Sequence, residues 1–298
     1  MCRLNPKVDF VFKKLFGSEE NKDILISFIN SVLSEDEQIV DIELKNPYNL
    51  ANYRKGKMSI LDIKAVDEKG VWYDIEMQIA EQSFYDKRAL YYWAKVYSDQ
   101  IESGYEYNLL KKTIGINILD FEYLNEEEYH NVYKIYNVKS KKAFSNLFEL
   151  HFIELPKFKK DFSEIKTTLD RWAAFLTKAY EFDKDTVPKE LAQSEEIKKA
   201  AEKLDIMSLN KEEREIYEND LKAMMVRNAE INAAEEKGRE EGREEGKVEG
   251  REEGKEEGRI EAAIEAIKLG VNNDVVAKIS KLSIEKVEEL RKKLAINK

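Results

Sequence analysis

The carboxylates whose spacing suits chemistry sit in two neighbouring segments, KMSILDIKAV (57–66) and VWYDIEMQI (71–79). Alternate residues of a strand face opposite sides. In the second segment Val71, Tyr73, Ile75, Met77 and Ile79 then share one face, and Trp72, Asp74, Glu76 and Gln78 the other. In the first, Leu61, Ile63 and Ala65 oppose Ile60, Asp62 and Lys64. DEKG (67–70) between them is a turn signal, and a hairpin through it brings Asp62 beside Glu76 and Gln78. Such a cluster suits a hard cation, because Mg²⁺ prefers oxygen ligands, often one or two carboxylates completed by water and phosphate. A metal held there would lower the pKa of a bound water and stabilise in-line displacement at phosphorus. An amphipathic hairpin with a solvated acidic face gives the same pattern, so spacing alone leaves both readings open.

Composition narrows the chemistry. The chain has 298 residues, a formal charge of −10 and 42% hydrophobic residues, enough for a core and one or two domains. A single cysteine, Cys2, excludes an internal disulfide and a thiolate zinc cluster. The only histidines, His130 and His151, exclude a His-rich metal site and read as structural. Catalysis, if present, falls to carboxylates. No run of eighteen apolar residues occurs and MCRLNPKVDF lacks a signal peptide's apolar stretch, so a cytoplasmic protein without a membrane span is expected.

The elements that must position these residues are legible as periodicities. NPKVDFVFKKLFG places Val8, Phe12, Leu15 and Phe16 on one helical face, closed by Gly17. A second helix is expected from Ser18 as N-cap, with the stripe Ile24, Leu25, Phe28, Ile29 and Val32. IVDIEL, TIGINIL, NVYKIY and LFELHFIEL read as further strands, and 83–102 and 162–180 as helices. Helices mixed with strands indicate an α/β or α+β core.

The segment SILDIKAVDEKGVWYDIEMQIAEQSFYDKRALYYWAKVYSDQI resembles the recombination-promoting nuclease (Rpn) family, a branch of the PD-(D/E)XK nuclease superfamily. NPKVDFVFKKLFGSEENKDILISFINSVL, TIGINILDF and LFELHFIELPK resemble the family's other blocks in order, so the resemblance spans roughly residues 5–180. It implies an α/β fold with a restriction-endonuclease-like mixed sheet core flanked by helices, and metal-dependent DNA hydrolysis using Mg²⁺, with Mn²⁺ or Ca²⁺ as substitutes. Asp62 and Glu76 match the metal-binding carboxylates, Ile75 would offer a backbone carbonyl to the metal, and Asp9 in the opening helix would complete the site. Gln78 stands where the superfamily name has Lys. An amide can orient water but cannot neutralise developing charge, so the metal, or Lys64 on the Asp62 face, must carry more. Asp74 is an accessory candidate.

Arg88, Tyr91 and Lys95 can share one side of the next helix, with Tyr92 four residues from Arg88 and Gln82 at the helix start. Arg88, Tyr92 and Lys95 are candidate DNA contacts, since Arg grips phosphate bidentately and Tyr stacks or hydrogen-bonds. Tyr91, Trp93 and Tyr97 are expected to pack on the sheet. Basic islands at Arg54-Lys55-Gly56-Lys57, Lys139-Ser140-Lys141-Lys142 and 157–160 stand out from the acidic background, the first as a guide for a DNA strand.

Residues 1–180 carry 26 Lys+Arg against 29 Asp+Glu, the remainder 24 against 31, and helix formers dominate after about 180–190. Within 235–259, Gly recurs at 238, 242, 246, 250, 254 and 258, either as a charged flexible spacer or as a helix that self-associates through its Gly row. IEAAIEAIKLGVNNDVVAKISKLSIEKVEELRKKL resembles a small helix-turn-helix-like unit, with Gly270 ending its first helix, Asn273 and Ser283 as caps, and a stripe Val275, Val276, Ile279, Leu282, Ile284, Val287 and Leu290 as its mini-core. The expected layout is a nuclease domain at 1–182, a helical arm at 183–259 and a C-terminal unit at 260–298. The reading is a DNA endonuclease linked to recombination or mobile elements and oligomerising through 235–259. The alternative is an inactive nuclease fold that binds nucleic acid or protein.

Overall fold

The computed structural model describes residues 4–48, 62–80, 84–182, 186–204 and 209–296. Among these, a first compact unit spans Met1–Asn228 and a second Ala229–Lys298.

The first unit is built on a six-stranded sheet. Its strands are β1 (Ile42–Leu44), β2 (Ile63–Asp67), β3 (Trp72–Gln78), β4 (Thr113–Leu119), β5 (His130–Tyr133) and β6 (Phe148–Glu154), in the spatial order β1-β2-β3-β4-β6-β5. β1, β2 and β3 pair antiparallel, β3, β4 and β6 pair parallel, and β5 returns antiparallel to β6. The DEKG turn forms as read. Asp67 Oδ1 accepts from the Lys69 and Val71 amides at 2.8 Å each, and Gly70 takes φ +81°, a left-handed conformation that Gly adopts without a steric cost.

Helices α1 (Asp9–Phe16), α2 (Lys22–Val32), α4 (Thr168–Lys178) and α5 (Glu195–Lys203) contribute to one core with the Ile63, Tyr73, Ile75, Ile116 and Ile153 side of the sheet. The expected α2 stripe is buried as read. Ser18 does not cap α2. Its hydroxyl donates back to the Lys14 carbonyl at 2.6 Å, and a 3-10 turn at Glu19–Asn21 leads into the helix. Trp172 meets Phe16, Phe28 and Phe175 with ring centroids 5.6–5.9 Å apart. This core continues through Leu191, Ile197 and Leu204 to Tyr217, at the start of α6 (Lys211–Lys268).

Helix α3 (Tyr85–Ser98) covers the opposite face, over Leu150 and Phe152. Gly115 in β4 makes room for Leu150 beneath the helix, since a Cβ there would lie 2.5 Å from Leu150 Cδ2. Trp93 stacks on Tyr97, meets Phe148 edge-on and donates its indole N–H to the Thr113 carbonyl at 2.8 Å. Tyr91 departs from expectation. It turns outward, 63% exposed, because the helix commits Ala89, Trp93 and Val96 to the sheet.

In the second unit, α7 (Asn273–Ser280) and α8 (Ile284–Ile296) gather Val276 and Val287 with Ala263 and Ile267 of α6, flanked by Leu282, Leu290 and Leu294. Val275, Ile279 and Ile284 of the expected stripe lie outside this core and are exposed. The α7 cap is Asn272, whose side chain accepts from the Val275 amide, while Asn273 instead receives the Arg291 guanidinium at 2.8 Å. The Gly repeat lies within α6 and is helical.

Candidate active site

Register places the carboxylates. Ile63 pairs with Ile75 and Lys64 with Asp74, so Asp62, one step further, lies opposite Glu76. The Asp62 amide donates to Glu76 Oε1 at 3.2 Å, and Asp62 Oδ2 accepts from the Met77 amide at 2.8 Å. Both carboxylates are buried, and Gln78 at the end of β3 donates its amide N–H to Glu76 Oε2 at 3.4 Å. Ile75 turns its side chain into the main core, its backbone lying between Ile63 and Ile116. Tyr85 and Asn117 line the neighbouring row, joined by a 2.9 Å hydrogen bond, with Asn117 level with Glu76.

A residue not singled out in the sequence stands at the centre. Lys13 Nζ is 2.9 Å from Asp9 Oδ1 and 3.2 Å from Asp62 Oδ1, with its side chain 10% exposed. Burial opposes its charge, but the Asp62 and Asp9 carboxylates outweigh that and hold its pKa above the ordinary value. The visible signal was Asp9 and Lys13 at i, i+4, with Lys13 set among buried phenylalanines and leucines. Asp9 thus reaches Asp62 through Lys13. Lys64 is engaged elsewhere, 3.6 Å from Asp99 Oδ2 and over the Trp72 ring.

Across the cleft, an Arg88 terminal nitrogen lies 3.7 Å from Glu76 Oε2, with its guanidinium 5.3 Å from the Tyr92 ring centroid. Lys95 is exposed in the last turn of α3. Beside Asp9, Val8, Ile79 and residues Asp220, Ala223, Met224 and Arg227 of α6 enclose a cavity of about 180 Å³. Arg54, Lys55, Lys57 and Gln82 lie outside the described residues.

The electrostatics are those of an acidic cluster short of positive charge. Burial, then the Asp62 carboxylate, pushes Glu76 up to about 9. Burial pushes Asp62 up to about 6 and Asp74 to about 7, with Lys13 opposing the first and the Asp62 charge adding to the second. Asp74 Oδ1 is buried without a hydrogen-bond partner. This donor set fits a hard divalent cation. Among the described residues no three His, Cys, Asp or Glu side chains converge in a ligating arrangement. Two carboxylates completed by water and substrate oxygens is the pattern Mg²⁺ commonly takes.

The two histidines meet elsewhere. His130 and His151 are hydrogen-bonded at 2.9 Å between Nε2 and Nδ1, and His151 Nε2 contacts Glu149 at 2.8 Å. Lys112 and Lys134 balance Glu149 at 2.8 and 3.1 Å. Glu149 and His151 alternate with Leu150 and Phe152, so they face away from α3 and Glu76 and belong to a separate charge network.

Among the described residues no helix is long and apolar enough to cross a membrane. Comparison with curated proteins and with solved structures returned no match. A family profile described as PD-(D/E)XK nuclease family transposase matches residues 6–234. That span contains the whole sheet and the Asp62–Glu76 pair, and the chain belongs to the PD-(D/E)XK nuclease family transposases.

Proposed function

We propose that this protein is a divalent-metal-dependent DNA endonuclease that hydrolyses phosphodiester bonds. The reading rests chiefly on one observation, the buried Asp62 and Glu76 carboxylates facing each other across β2 and β3 in a chain of a nuclease family. Asp62 and Glu76, with the Ile75 carbonyl, would hold Mg²⁺, with Mn²⁺ or Ca²⁺ as substitutes. When bound, the cation supplies Lewis-acid stabilisation of charge on the phosphate. Gln78 orients the attacking water through its amide. The Lys13 ammonium, held by Asp9, contributes the positive charge that Gln78 lacks. Arg88 grips a phosphate oxygen, and Tyr92 and Lys95 continue the DNA contact along α3, with Arg54, Lys55 and Lys57 guiding the strand.

We further infer a link to recombination or mobile elements, supported by the transposase wording of the family description, and a cytoplasmic site of action. The layout we assign is a nuclease domain at 1–182, an arm at 183–259 that joins copies through the helical Gly repeat at 235–259, and a C-terminal unit at 260–298. A second reading, a binding module with an inactive cleft, draws on the Lys13 ammonium already beside Asp62.

The deciding experiment is cleavage of supercoiled and linear DNA with Mg²⁺, Mn²⁺, Ca²⁺ or EDTA. Metal-dependent cutting by the wild type, lost in Glu76→Ala and reduced about 10²–10³-fold in Lys13→Met, is expected, as for loss of one charge-stabilising group. Absence of cutting by the wild type under every metal condition moves the assignment to the binding module.

A further inference from the structure

The DNA-contact candidates on α3 do not account for two highly exposed apolar side chains that stand close together in the sheet domain. These lie between β5 and β6, in a hairpin that the nuclease reading leaves without a role. Its arms are tied by the bridge between Tyr136 and Ala143, by the Phe144 amide donating to the Ile135 carbonyl at 2.9 Å, and by the Asn137 amide donating to the Lys142 carbonyl at 2.8 Å. Asn137 Oδ1 closes the tip by accepting from the Lys139 and Ser140 amides at 3.0 and 2.9 Å. The hairpin is therefore an ordered ribbon. Val138 and Phe144 are each 82% exposed on it, with Ile135 and Tyr136 also exposed.

Its charge separates it from the rest of the surface. Residues 129–148 hold four lysines and no Asp or Glu, in a chain of net charge −10. Lys134 is taken up by Glu149, and Glu126 reaches only the Tyr133 hydroxyl at the ribbon's base. Lys139, Lys141 and Lys142 are exposed at the tip.

Register fixes the side to which the ribbon belongs. Tyr133 pairs with Leu150 and meets Phe152 edge-on at 5.7 Å, so it lies on the α3 face of the sheet, the face of Glu76. Alternation carries Ile135 to that face, with its hydrogen-bonded partner Phe144. Asn137 and Lys142 follow. Helix α3 bridges the interval, its Tyr85 near Asn117 beside the site and its Trp93 against Phe148 at the ribbon's base. The helix thus runs from the cleft, at Tyr85 and Arg88, toward the ribbon's base, at Trp93. Glu76 is level with Phe152 and, in β5, with Asn131, three strands across, and β5 ends two rows further at Tyr133, where the ribbon begins, which at about 3.3 Å per row and 4.8 Å per strand is about 16 Å.

We propose that the ribbon 134–147 is a second DNA-binding element that grips the duplex on one side of the cleavage site. Lys139, Lys141 and Lys142 pair with phosphates, while Ile135 and Phe144 press against sugars and groove edges, as apolar groups on β-ribbon and minor-groove binders do. The separation of the ribbon's base from Glu76 corresponds to about five base pairs at 3.4 Å each. The proposal builds on the nuclease reading, but concerns binding rather than cutting.

The test is fluorescence anisotropy in EDTA with labelled duplexes of 8 and 25 base pairs, across a salt series. The proteins are wild type, Lys139→Ala/Lys141→Ala/Lys142→Ala, the matching triple Arg variant, and Phe144→Ser. For the 25-mer, the triple Ala variant is expected to lose about tenfold in affinity and about 2.7 from the salt slope, as three lost phosphate contacts would give. The triple Arg variant retains both, Phe144→Ser weakens binding without changing the slope, and the 8-mer responds less than the 25-mer. Equal affinity and slope for wild type and triple Ala overturn the ribbon proposal while leaving the nuclease reading intact if the wild type still cuts. Equal affinity together with a lower mass for Phe144→Ser in light scattering makes the ribbon a contact between copies and also overturns it. A wild type that neither binds nor cuts duplex DNA overturns both.

Discussion

At the residue scale, the Lys13 and Lys64 ammoniums and the Arg88 guanidinium do not offset the burial of Asp62, Asp74 and Glu76, and that makes stability depend on pH. Folding raises the pKa of all three carboxylates, mainly through burial, to about 6, 7 and 9 respectively. These three groups therefore bind more protons folded than unfolded between about pH 4 and 9, and their contribution to stability falls as pH rises through that window, opposed below about pH 6.5 by His130, which burial lowers to about 4. In EDTA, the melting temperature is expected to decline from pH 5 to pH 9. Glu76→Gln should flatten the decline, with a gain on the order of a few kcal/mol at pH 8 and little at pH 4. Thermal melts of the two proteins across pH check this, and a wild-type melting temperature that climbs over the same range would contradict the assigned shifts. A divalent cation at the cluster should raise stability most at high pH, where it competes with fewer protons.

At the element scale, the β2–β3 turn sets the register that puts Asp62 opposite Glu76. Gly70 sits at φ +81° in it, where a side chain brings Cβ against the backbone at a cost of about 1–2 kcal/mol. The expected result for Gly70→Val is a loss of about that size in denaturant unfolding, together with a larger drop in cleavage than the stability loss explains. A one-residue slip would turn Asp62 to the opposite face. If cleavage falls only in proportion to the folded fraction, the turn contributes stability alone. Gly115 acts at the same scale, because a side chain there would displace Leu150 beneath α3.

At the scale of the whole molecule, the net charge is −10 while the features we propose to contact DNA carry local positive charge, and local fields rather than net charge decide binding. The Gly repeat adds a separate possibility for assembly. Its six glycines meet no other atoms within 4 Å of where a Cβ would stand, so the bare row is open to a second helix. Each helical Gly costs about 1 kcal/mol against Ala, a cost that close helix pairing would offset. Deleting 235–259 should therefore lower the number of copies per particle in multi-angle light scattering, and an unchanged copy number would remove the repeat from the assembly.

The sequence by itself determined whatever depends on short-range periodicity. The alternation in VWYDIEMQI and the DEKG turn were enough to put Asp62, Glu76 and Gln78 on one face, because strand sterics and turn chemistry act within a few residues. The buried stripe of α2 was legible for the same reason. Only the tertiary structure decided which helix supplies the cation. Lys13 reaches Asp62 through the packing of α1 on the sheet, whereas Lys64, adjacent in sequence pattern, is drawn to Asp99 and Trp72. The same holds for His130 and His151, joined by the pairing of β5 with β6, and for Tyr91, whose exposure follows from which residues of α3 the sheet accepts. Such contacts join residues far apart in the chain, where the path of the backbone and competition for buried space, rather than local preference, select the partners.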